Sequence, residues 1–149
     1  MEARKPTGTL LNDRITAFGT QLVQAHDWLR EELARLRAGE AGSRDLRSHC
    51  LAFCDALTRH HTGEDETGFP ALARQFPELR PVLDQLTRDH EMITEILQRV
   101  ADDPAELDGL AAIMESHFVY EERKIVEALN ALEWYGPVPD FLTPGAPPA

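Results

Sequence analysis

Apolar residues recur along this chain at steps of three and four, the spacing of one face of an α-helix. No stretch alternates with a period of two for long. Four helices follow from that pattern. The first is expected over about residues 10–37, with Leu11, Ile15, Phe18, Leu22, Leu29, Leu33 and Leu36 on its apolar stripe and one wide gap after Leu22. The second opens near Ser43, a suitable N-cap after Gly39 and Gly42, and continues through Leu46, Cys50, Phe53, Cys54 and Leu57. Gly63, Gly68 and Pro70 end or bend it, and a short turn leads to Pro77. The third opens near Pro81, a good first-turn residue, and carries Leu83, Leu86, Ile93, Leu97 and Val100. Asp102, Asp103 and Pro104 break the chain. A fourth helix then runs from about Pro104 to Leu132, striped by Leu107, Leu110, Met114, Ile125 and Ala128.

Long helices joined by short loops favour antiparallel neighbours. The expected fold is therefore all-α, an up-and-down four-helix bundle over residues 10–135. Residues 1–9 read as a flexible polar N-terminus. Residues 136–149 hold five of the ten prolines and read as an extended or disordered tail, although Phe141 and Leu142 are suited to docking on the bundle.

Composition narrows the function classes. The chain has 149 residues and is 42% apolar, enough for one core without disulfides. Its two cysteines, Cys50 and Cys54, lie four apart on one expected helix, a poor arrangement for a mutual disulfide. Thiols in a chain whose first residues carry no apolar signal core point to a reducing, cytoplasmic setting. No apolar run approaches the roughly 18 residues a membrane helix needs. The net charge of −11, without a compensating Lys/Arg cluster, argues against nucleic acid as a partner.

The candidate chemistry lies in what fills the gaps of the apolar stripes. His26 stands near the gap between Leu22 and Leu29. His90 stands between Leu86 and Ile93. His117 and Glu121 stand between Met114 and Ile125, and His60, His61 and Glu64 follow Leu57. Each helix thus places a histidine in phase with its buried face, and two helices add a glutamate four residues after a histidine. Residues four apart share a helix face, with Cβ atoms about 5–6 Å apart. One such pair can hold a metal from adjacent turns. Two glutamates in the seam of a small bundle are costly to bury unless a charge compensates them, and a metal pair supplies that charge. Imidazole and carboxylate ligands without thiolate suit iron or manganese, with zinc still open on ligand type.

These residues resemble the hemerythrin-like, HHE cation-binding domains. The resemblance rests on AHDWLREEL around His26, RHHTGEDETGFPAL around His60, TRDHEMI around His90 and SHFVYEERKIVEAL around His117, in that order over about residues 15–132. It implies two non-haem iron ions joined by an oxo or hydroxo bridge. Glu64 and Glu121 would be the bridging carboxylates, and His26, His60, His90 and His117 terminal ligands. The pattern departs from the oxygen carriers, which have a second histidine four residues after the one on the third helix, where this chain has Thr94. His61 is the candidate to supply the missing ligand, the alternative being an outer histidine. The last helix offers both Glu121 and Glu122, with Glu121 favoured by its four-residue step.

His49, about three turns or roughly 16 Å from His60, is too far to share the site. Asp27, Asp89 and Glu91 flank the histidines and are either solvated or hydrogen-bonded to imidazoles. Cys50 and Cys54 read as core packing. Trp28 and Tyr120 are either packing residues or redox-active neighbours, and Phe53, Phe69, Met114 and Phe118 are candidates to line a dry pocket. Three functions share such a site. One is binding or sensing of dioxygen or nitric oxide. Another is peroxide-type redox turnover, of a catalase or peroxidase kind. The third is iron storage or an iron-responsive interaction module with an unnamed protein partner.

Overall fold

The computed structural model describes residues 17–39, 42–100 and 102–143, without the side chains of 42–48. All regular structure among the described residues is helical. In chain order it comprises α1 (Phe18–Ala38), α2 (Gly42–Gly63), a π-helical turn (Glu64–Gly68), α3 (Phe69–Gln75), α4 (Arg80–Val100) and α5 (Glu106–Ala131). Short 3-10 turns span Pro77–Leu79 and Asp140–Leu142. Four of these helices are long and correspond to the four expected. Leu11 and Ile15, the termini 1–9 and 144–149, and the side chain of Leu46 lie outside the described residues.

Three local details differ from the expectation. Helix α2 already includes Gly42, so Ser43 lies inside its first turn and not ahead of it. Helix α2 ends at Gly63 as expected, but a further helix stands where only a short turn to Pro77 was expected. The chain passes through the π turn and continues as α3. The wider turn already interrupts the i→i−4 ladder, so the missing N–H of Pro70 breaks nothing there. Finally, α5 begins at Glu106 and not at Pro104. The Asp103 carboxylate accepts from the Ala105 amide at 3.2 Å, a local side-chain bond that holds the connection ahead of the helix.

The apolar stripes build two separate clusters. One gathers Leu29, Leu33 and Leu36 of α1, Phe53 and Leu57 of α2, Ile93 and Leu97 of α4, and Leu110, Met114 and Phe118 of α5. The other gathers Phe18 and Leu22 of α1, Phe69 and Leu72 of α3, Leu83 and Leu86 of α4, and Ile125 and Leu129 of α5, together with Phe141 and Leu142 from the C-terminal segment. Burying each such side chain stabilises the fold by about 1.5–3 kcal/mol. Between the clusters lies a layer of different material, and each long helix contributes to it at the point where its apolar stripe is interrupted.

Side-chain pairs fix the neighbours of α1. Near one end, the Gly19 amide donates to the Asn130 side-chain oxygen at 2.9 Å. Near the other, the Arg37 guanidinium donates to Asp108 at 3.0 Å. Helices α1 and α5 therefore run antiparallel. Toward α2, His49 meets Glu32 at 3.0 Å and His26 meets His60 at 3.2 Å, again in opposite order along the two helices.

Candidate metal centre

The layer between the clusters consists of His26, His60, His61, Glu64, His90, His117 and Glu121. These seven are all the buried polar or charged side chains among the described residues. The helical pattern brings them there. His26 lies between Leu22 and Leu29, one on each cluster, and His90 between Leu86 and Ile93. Any helix that buries both clusters must bury what stands between them.

Four of the five imidazoles are oriented from behind. The Nδ1 of His26 faces Glu122 at 2.8 Å, that of His90 faces Asp65 at 2.9 Å, and that of His117 faces Asp89 at 3.0 Å. The Nδ1 of His60 faces the backbone carbonyl of Phe141 at 2.8 Å. Every one of these partners only accepts hydrogen bonds when ionised or when it is a carbonyl, so each Nδ1 carries the proton and donates it. The Nε2 atoms are thereby left facing the layer. This outer support fixes tautomer and ring direction, as it does for histidines that bind metals. Ring stacking adds to it, with His61 on His90 at 3.7 Å between centroids and Phe118 on His26 at 3.9 Å.

Inside the layer, the polar atoms converge without satisfying one another. The Nε2 atoms of His61, His90 and His117 and both carboxylate oxygens of Glu64 and of Glu121 are buried and have no well-formed hydrogen bond. The nearest approaches are charge contacts. The two oxygens of Glu64 lie 3.2 Å from His60 Nε2 and 3.1 Å from His90 Nε2. Glu121 Oε1 lies 3.5 Å from His26 Nε2 and 3.4 Å from His117 Nε2. Leaving charges unpaired out of water costs roughly several kcal/mol each, so such a convergence needs a counter-charge.

The electrostatics carry the same tension. Burial pushes His26 down to about 4, helped by the nearby His60 and opposed by Glu122. Burial also holds His61 well below its ordinary range, with His90 adding to the effect, and lowers His117 despite Asp89. For His90, burial is outweighed by Asp65 and Glu64, and the group rises to about 9. The two glutamates diverge. Burial opposes ionisation of Glu64, but His60 and its other partners keep it well below the usual carboxylate range. Burial and the charge of Glu64 drive Glu121 well above it. Two carboxylates this close cannot both be ionised without a cation between them.

Ligand-type atoms fall into two groups, each within 4.8 Å: His61, His90 and His117 in one, and His26, His60, Glu64 and Glu121 in the other. All are imidazole nitrogen or carboxylate oxygen. Cys50 and Cys54 belong to the neighbouring apolar cluster and contribute no sulfur. The donor set fits a cation of intermediate hardness, and the buried atoms lacking partners fit a ligand shell.

The comparisons bear on the same residues. A family profile, Hemerythrin HHE cation binding domain, matches residues 19–129. The chain belongs to this family. No match was found among characterised proteins or among solved structures. The His and Glu groups that could hold a metal ion lie in the buried layer between the two apolar clusters.

Several residues fall elsewhere than the sequence suggested, or were not legible in it. Glu122 faces outward and holds His26, whereas Glu121 is fully buried. Asp89 takes the imidazole-bonding role, but Asp27 pairs with Arg30 at 2.9 Å and Glu91 is exposed. Asp65 and the Phe141 carbonyl were not anticipated. Asp65 follows Glu64 directly, and a regular helix would turn it about 100° away. A backbone carbonyl leaves no mark in a sequence. Thr94 donates to the His90 carbonyl of its own helix at 2.9 Å. His49 pairs with Glu32, away from the layer. Trp28 packs on one cluster, and Tyr120 packs on the other beneath Lys124.

Proposed function

We propose that this protein binds two iron ions side by side in the buried layer and uses them to bind or react with a small molecule of the dioxygen, nitric oxide or peroxide class. The observation that carries the reading is the placement of Glu64. Its two oxygens face histidines of two different groups, His60 on one side and His90 on the other. A carboxylate placed this way suits a bridge between two metals. Glu121, facing His26 and His117, suits the second bridge.

In this reading His61, His90 and His117 hold one ion, and His26 and His60 the other. His61 supplies the histidine missing at Thr94. Its Nε2 is buried and without a hydrogen bond, and its ring stacks on His90. A bridged iron pair supplies redox electrons and coordination positions for a small ligand. The chain's own part is to orient the imidazoles through their Nδ1 donors, and to keep water out by the apolar clusters on both sides of the layer. The antiparallel pairing of α1 with α5 and with α2 supports an up-and-down bundle. Among the described residues no helix is long and apolar enough to cross a membrane. The cytoplasm remains the proposed location.

Metal content and the ultraviolet–visible spectrum test the proposal. Two irons per chain with oxo-bridge charge-transfer bands are expected. A reversible spectral adduct with dioxygen or nitric oxide marks a binder, and rapid peroxide loss a catalase-like or peroxidase-like enzyme. A well-folded chain that takes up no iron overturns the reading.

A further inference from the structure

After α5 the chain turns back across the bundle. The Gln75 side chain pairs with both backbone groups of Glu133, donating to its carbonyl at 2.9 Å and accepting from its amide at 2.8 Å. The Trp134 ring meets Phe18 edge-on at 6.2 Å, and its N–H donates to the Pro137 carbonyl at 2.9 Å. The segment ends in the turn Asp140–Leu142, with Phe141 and Leu142 buried.

Phe141 sits in a notch made by two glycines. A Cβ on Gly63 would lie 2.8 Å from the Phe141 Cβ, and one on Gly68 would lie 2.7 Å from its ring. Only residues without a side chain allow this approach. The notch lies one turn beyond His60, and docking there brings the Phe141 carbonyl to the His60 Nδ1 at 2.8 Å. Three of the supported histidines take their acceptor from a carboxylate on a helix. His60 takes its acceptor from a segment outside the bundle. Beside the notch lies a cavity of about 660 Å³, lined by Ala25, Leu29 and Ala56 of α1 and α2 and by Pro137 and Val138 of the segment. The segment is held by Leu132, Phe141 and Leu142 in the apolar cluster, with Trp134 and Val138 packed against it.

We infer that residues 132–143 form a strap that positions His60, so that strap docking and metal binding at the His26/His60 end reinforce each other. This rests on the two-metal reading above. Losing the partner of a metal-bound imidazole lowers affinity about 10–100-fold. By linkage, metal must favour docking by the same factor.

The test uses the full chain and anaerobic ferrous iron. Amide exchange at Leu142 and Thr143, whose N–H groups close the terminal turn, reports docking directly. Exchange there is expected to slow about 10–100-fold on saturation with iron. In Gly63→Ala, which pushes Phe141 outward, one of two iron affinities is expected to fall by that factor while the other stays within about twofold. Uniform weakening of both sites would mean general destabilisation and overturn the inference. So would unchanged affinities, or strap exchange indifferent to iron. Should Gly63→Ala not fold, the exchange comparison on the unaltered chain decides alone. A wild-type chain that takes up no iron removes the two-metal reading and the strap with it. Two irons bound equally well by both chains remove only the strap.

Discussion

Glu121 and Glu122 are consecutive in the chain and lie on opposite sides of one imidazole. Glu121 faces the inner Nε2 of His26 at 3.5 Å, and Glu122 faces the outer Nδ1 at 2.8 Å. Glu122 also receives Arg30 at 3.1 Å and is held below the usual carboxylate range, as His26 and Arg30 together outweigh its burial. Neighbours in sequence thus divide the work, one directed into the layer and the other bracing a ring from behind.

Opposite consequences follow for the two carboxylates. Glu121→Gln removes a buried group whose ionisation is strongly disfavoured, so the metal-free protein is expected to gain about 1–2 kcal/mol while iron binding drops sharply. Glu122→Gln should keep the iron count but weaken affinity about 10–100-fold. Denaturation of metal-free protein beside iron titration checks both. A Glu121→Gln chain that binds two irons tightly would assign the bridge elsewhere.

Glu64 and His61 separate the two ends of the layer. Glu64→Ala should lose most of the iron, since its oxygens face both groups. His61→Ala should spare the His26/His60 end, so that at limiting iron the chain holds about one ion in place of two. Iron counting by elemental analysis, with the charge-transfer bands as a second readout, resolves these. An unchanged spectrum in His61→Ala would leave it a packing residue.

Protonation of the metal-free chain predicts a stability optimum near neutrality. His90 is raised from 6.5 to about 9, so its stabilising contribution is complete below about 6.5 and disappears as pH rises through 9. His26 is lowered to about 4, so stability is lost as pH falls from 6.5 toward 4. The metal-free melting temperature should therefore peak near pH 6.5 and decline on either side. With iron, which competes with protons for imidazole, affinity should rise with pH toward 9. Asp65→Asn should flatten the alkaline decline, because Asp65 is the largest contributor raising His90. Melting curves from pH 4 to 10 test the set.

His49 serves as the control. Its contact with Glu32 is part-exposed, so His49→Ala should change stability by less than about 1 kcal/mol and leave iron binding intact. Loss of iron in this variant would show that the layer extends further than the buried set.

The sequence by itself determined the helices and most of what fills the layer. Apolar residues at steps of three and four specify which face each helix buries, and a histidine placed in that phase is carried inside with it. His26, His90 and His117 were legible for that reason, and Glu64 and Glu121 followed from their four-residue step. Tertiary structure decided everything that depends on distance between segments. It turned His61 inward beside His60, just ahead of the π turn, and set Glu122 behind the His26 ring. It also brought Asp65, Asp89 and the distant Phe141 carbonyl behind the imidazoles. Helical periodicity records only which side of its own axis a residue occupies. The partner that meets it there is fixed by how the axes pack, and for Phe141 by a notch that two glycines leave open.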